Sequence, residues 1–214
     1  IYEKKLVNVD KDLLVIPNLA IHMNRDINDG YKYNVQKDML PLYSCGEEKG
    51  IFKKQIAQTV NVAEEDILGE DLYLYNRMPG TVWGANEEFI SSPKLDDLQC
   101  AFGTMMGLIE AQDIRNVAIC CVLDNEEVGS GTKQGAASTF LKDTIERIQL
   151  GMHREEPLSM LLSSSFMVSA DNAHAVHPNY ADVSDPTNRP FINGGIVIKA
   201  SANQKYTTDG IAAA

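Results

Sequence analysis

Nowhere in the chain do 18 apolar residues follow one another, so no segment has the length and hydropathy of a membrane-crossing helix. No charged-then-apolar signal segment opens the sequence. Basic residues are scarce: 19 Lys and Arg stand against 30 Asp and Glu, a net charge of −11 and a pI near 4.8. Nucleic acid and anionic membrane surfaces require clustered positive charge, so neither is expected as a partner. The four cysteines, Cys45, Cys100, Cys120 and Cys121, form no CxxC pair. A disulfide framework or a structural zinc knuckle is therefore not expected, and reduced core thiols in a cytosolic protein are. Low complexity and internal repeats are absent as well.

The 214 residues, 44% of them hydrophobic, suffice for one large domain or two small ones. The sequence begins at Ile1 within a strand-like stretch and stops at Ile211-Ala212-Ala213-Ala214, which reads as the first turn of a helix; it is expected to be part of a longer protein. Leu13–Ile16 reads as a strand kinked at Pro17. Residues 24 to 50 are polar and loop-like. Phe52, Ile56, Val60 and Val62 are spaced for a short amphipathic helix, and the alternation over 66–76 predicts a strand. Beyond Glu87 the texture changes. A helix is predicted over 102–110 and another over 135–150. Three apolar runs have strand length: 117–123 (VAICCVL), 165–170 (SFMVSA) and 195–199 (GIVIK). The first reads as a strand covered on both faces. Alternating strands and helices predict an α/β layer fold, in which ligands bind beyond the carboxyl ends of strands.

That rule selects three segments, and two carry clustered ligands. Glu126 and Glu127 leave the first apolar run directly. Paired carboxylates there are either a helix start favoured by the dipole or chemistry at a sheet-end crevice. Asp171, His174 and His177 follow the second run within seven positions, a spacing that suits a metal neighbourhood. A third motif, Ser92-Pro93-Lys94-Leu95-Asp96-Asp97-Leu98, offers adjacent aspartates before a helix, either an N-cap or a carboxylate aimed inward to bridge two ions. Together these residues suggest a two-metal hydrolase: one carboxylate bridges, others hold each ion, and a free Glu takes a proton from water.

The segments IPNLAIHMNR, SPKLDDL, DNEEVGS and SADNAHAVHPNY, in that order, resemble the motifs of the aspartyl aminopeptidase family of dinuclear-zinc metallopeptidases, over a stretch from about Leu13 to Tyr206. The resemblance implies an α/β/α sandwich catalytic domain with an inserted, mainly β dimerisation domain. Here the catalytic domain would take 1–10 and 86–214, and the insert 11–85. It implies two zinc ions, with cobalt or manganese as other divalent metals such sites accept. Asp96 then matches the bridging ligand, with a cis peptide after it. Glu126 matches the general base, and Glu127 and Asp171 the terminal ligands. His22, in the insert, is implied to reach the active site of a dimer partner. His177, Lys199 and Tyr206 are implied substrate contacts, Lys199 meeting an acidic side chain. The implied activity is removal of N-terminal residues, Asp or Glu, from peptides by a cytoplasmic homododecamer built of dimers.

Two histidine ligands of that family, in an HTDSP-like segment and a Met-His, have no counterpart in these residues; the histidines present are His22, His153, His174 and His177. The chain thus holds three of five implied ligands and the base, and alone is expected to be inactive. His153 lies in a polar stretch and reads as surface; Trp83 reads as packing near the domain junction. Two other functions fit the carboxylates: a related two-metal N-acyl amidohydrolase, or a non-catalytic assembly subunit.

Overall fold

The computed structural model describes residues 2–46 and 48–200. The chain divides into two compact units, Ile1–Pro79 and Gly80–Ala214, taken here one at a time.

In the first unit, α1 (Val35–Asp38) is a single turn started by Asn34, whose side chain accepts from the backbone N–H of Gln36 and Lys37. Helix α2 (Ile51–Val60) realises the predicted amphipathic segment. It buries Ile56 and Ala57, sets Phe52 edge-on to Tyr43 with ring centroids 5.4 Å apart, and receives the Tyr43 hydroxyl on Gln55 at 2.6 Å. It ends because Asn61 turns left-handed, which lets the N–H of Val62 reach back to the Ala57 carbonyl at 3.0 Å. Val62 therefore lies past the helix. Val15 and Leu42 form an isolated antiparallel bridge, the one place where the predicted 13–16 strand finds a partner among the described residues. The predicted strand over 66–76 joins no ladder there. It and the residue after it are tied instead by side chains to the start of the chain: Tyr75 donates to Asn8 at 2.9 Å, and Arg77 forks between Asp10, at 2.8 Å, and Asp12.

The second unit opens with an antiparallel hairpin, β1 (Thr81–Trp83) on β2 (Phe89–Ser91), in the register Thr81–Ser91, Val82–Ile90, Trp83–Phe89. Trp83 lies against Phe89 at 4.6 Å and donates its indole N–H to Ser91 at 2.7 Å. Helix α3 (Leu95–Glu110) starts earlier than the predicted 102 and contains a break. Lys94 is left-handed, and Asp96 and Asp97 have non-helical backbone.

Helix α4 (Phe140–Gly151) begins five residues later than predicted. The preceding residues are held in a loop, with Ala137 N–H bonded to the Ser130 carbonyl at 3.1 Å and Asp124 N–H to that of Gln134, also at 3.1 Å. Gly135 sits so close to the Ser130 backbone that a Cβ there would overlap it. Gln149 of α4 is buried and donates its amide to the Glu156 carbonyl. A short α5 (Leu158–Ser163) follows. Later, the Asp185 carboxylate closes a turn by accepting from the N–H of Thr187 (2.7 Å), the N–H of Asn188 (2.8 Å) and the Thr187 hydroxyl (2.8 Å). These donors hold Asp185 below the usual carboxylate range.

The three apolar runs differ from their prediction. Among the described residues no ladder bond joins 117–123, 165–170 or 195–199, and the run expected to be covered on both faces is open, with Val117 65% exposed, as are Phe166 at 74% and Ile196 at 96%. Apolar and β-branched residues select extended backbone locally, but a strand exists only where a neighbouring backbone supplies the ladder. The four cysteines are free; Cys100 and Cys120 are half-buried, whereas Cys45 and Cys121 are exposed and not core thiols. No described helix is long and apolar enough to cross a membrane.

Candidate metal centre

The second unit draws together residues far apart in sequence. Asp96, Asp97 and Asp171 each place a carboxylate oxygen within 4.8 Å of the other two. The first two stand in the break at the start of α3, and the peptide joining them is cis. Asp171 leaves the apolar run 165–170, the strand-exit position singled out from sequence.

Four hydrogen bonds fix this neighbourhood. Lys199 donates to Asp171 at 2.8 Å and to the Asn172 carbonyl at 3.1 Å. That ammonium holds Asp171 below the usual carboxylate range, against a smaller opposing effect of burial. Asn172 donates its side-chain amide to the Leu95 carbonyl at 2.8 Å and accepts from the Cys100 thiol at 3.1 Å. Burial pushes the Cys100 thiol up, and Asp97, Asp171 and Asp96 push it the same way; it stays a protonated donor.

Of the predicted ligands, Asp96 and Asp171 converge, and Glu127 is not in their group. Glu126 and Glu127 share an exposed 3₁₀ turn, Glu126–Val128, between left-handed Asn125 and Gly129. That loop closes through Ser130 N–H on the Asn125 carbonyl at 2.9 Å and the Asn125 amide on Thr132 at 2.9 Å. His177 accepts the Asn179 N–H on Nδ1 at 3.1 Å and packs against Tyr180 at 4.9 Å. The Nδ1 of His177 is thus already engaged by a backbone N–H. His174 adds a minor electrostatic contribution that lowers Asp171. His153 is exposed. His22 lies in an exposed 3₁₀ turn, Ile21–Met23, of the first unit. Tyr206 falls outside the described residues. Sequence reasoning passed over Asp97, Cys100 and Asn172. For Asp97 the signal was the doublet itself.

Converging carboxylates are hard oxygen donors that suit a divalent cation, zinc included. Asp96, Asp97 and Asp171 each offer a carboxylate oxygen to one place, so this donor set fits an ion; Lys199 engages Oδ2 of Asp171 there.

Compared with known families, residues 1–214 match the family model described as aminopeptidase I zinc metalloprotease (M18). The chain belongs to that family. An M18 relative, a probable M18 family aminopeptidase 2 of Clostridium acetobutylicum, is 46% identical over 212 aligned residues, with 97% of this chain and 49% of the relative covered. The aspartyl aminopeptidase of Dictyostelium discoideum is 32% identical over 255 aligned residues, covering 98% of this chain and 53% of its own length. Among solved M18-like structures, that of the Ape4 and Nbr1 complex superposes with a TM-score of 0.79 at 32% identity, over 95% of this chain and 44% of the other. The chain thus spans about half the length of the M18 relatives it matches, and shares their α/β peptidase fold.

Proposed function

We propose that the protein carrying this chain is an aminopeptidase that removes N-terminal residues, acidic ones by preference, from peptides. The observation that carries the reading is the match of the M18 model along all 214 residues; the convergence of Asp96 and Asp171, with Asp97, supports it. Two zinc ions, when bound, would polarise the scissile carbonyl and lower the pKa of water between them. Asp96 would bridge, with Glu127 and Asp171 as terminal ligands and two histidines supplied from outside these residues. Glu126 would accept a proton from the attacking water and return it to the leaving amine. His177 and Tyr206 would line the substrate. Lys199 would supply local positive charge to an acidic side chain in a chain whose net charge of −11 attracts none.

In the same reading residues 11–85 form an inserted dimerisation domain, dimers assemble to a cytoplasmic dodecamer, and His22 completes the partner's site. The full-length protein is tested with aminoacyl-peptide and N-acyl-amino-acid substrates side by side. Turnover of the first class alone is expected, fastest with N-terminal Asp or Glu. Turnover of N-acyl substrates alone would replace this reading with an amidohydrolase, and activity on neither would leave an assembly subunit.

A further inference from the structure

Among the described residues, Asn172 joins three segments that frame the carboxylates, through its side chain and its main chain. Its amide donates to the Leu95 carbonyl 77 positions away, directly before Asp96. Its carbonyl oxygen on the side chain accepts from Cys100, one helical turn beyond Asp96. Its main-chain carbonyl accepts from Lys199, which also holds Asp171, its neighbour in sequence. Both side-chain hydrogen bonds are half-buried, where exchange for water is restricted and geometry is better defined than at the surface.

We propose that Asn172 is a positioning residue for the metal centre: it fixes the distance between the Asp96–Asp97 carboxylates and that of Asp171. The inference rests on the metal-centre reading above. An amide is suited to this task where a carboxylate or ammonium is not, because it presents a donor to the Leu95 carbonyl and an acceptor to the thiol at once. It also adds no charge to a place where three carboxylates meet. Alanine at 172 leaves both segments in the chain but removes the strut between them.

The test is metal affinity in the full-length protein, read by zinc competition with a chromophoric chelator and by the absorption spectrum of the cobalt form. Asn172→Ala is expected to weaken binding by about 10- to 100-fold, the range for groups that orient metal ligands, and to shift the cobalt bands, with the Tm of the metal-free protein little changed. Cys100→Ser keeps a donor and is expected to match the unaltered protein. Cys100→Val removes it and is expected to lose about 2- to 10-fold. This second pair decides the matter if Asn172→Ala does not fold. Unaltered protein that binds zinc or cobalt, with Asn172→Ala or Cys100→Val binding equally well, overturns the inference alone. A loss matched by a parallel fall in the metal-free Tm overturns it too, since the residue would then hold the fold and not the ligands. Unaltered protein that takes up neither metal overturns the metal-centre reading itself.

Discussion

Glu126 and Glu127 are adjacent, exposed and part of one 3₁₀ turn, so nothing in their local backbone environment assigns one to proton transfer and the other to metal binding. The proposed division comes from the family motif and is open to a direct check. If Glu126 is the base, Glu126→Gln in the full-length protein keeps both metals and loses about 10²- to 10⁴-fold in turnover. Metal analysis showing an ion lost would exchange the two roles. Asp171 was legible from sequence as part of a cluster at a strand exit, whereas Asp96 was singled out only through its match to the family motif; the two carboxylates converge. Asp97 was not singled out, since the second of two aspartates reads equally well as a helix cap. Asn172 could not be found at all: an amide becomes important only when a carbonyl 77 positions away folds over it.

Elements show the same division between local and distant causes. Helix α2 was legible because its period is written in consecutive residues, and its termination is local too. The start of α4 was hidden because Gly135 serves contact with Ser130, not helix formation. The apolar runs 117–123, 165–170 and 195–199 form no ladder among the described residues, because a ladder is a property of neighbours and not of a run. The α/β class follows nonetheless from their order. One local element yields a pH prediction. Asp185 accepts three hydrogen bonds in the turn 185–188 and titrates below its ordinary value. A depressed folded-state pKa adds stability that is fully present above the unfolded value, about 3.9, and is lost as pH falls through the folded one. NMR titration should find the Asp185 carboxyl below the usual range, with the Thr187 and Asn188 amides shifting at the same midpoint. A midpoint at or above the ordinary value would show that these bonds do not favour the ionised form.

At the scale of the whole molecule, the proposal that subunits share a site makes a prediction independent of any single-chain geometry. His22→Ala and Glu126→Gln subunits, each weakly active alone, should regain activity when mixed, because one site of a mixed dimer receives an intact histidine and an intact base from different chains. Mixed dimers shown to form, yet no more active than their parents, would place His22 outside the shared site. The M18 match over 214 residues is what makes such a test worth making, for the unit that carries His22 and the unit that carries the carboxylates belong to one family pattern.

The Arg77 fork has a consequence for how such a chain could have been assembled. By gripping Asp10 and Asp12, Arg77 brings the entrance and exit of the 64 intervening residues, 13 to 76, to within one side chain of each other. A stretch with adjoining ends can be spliced into a surface turn of a host, or cut back to a turn, without moving the host chain on either side. In the proposed reading of an inserted domain, the guanidinium would act as a clasp across its base.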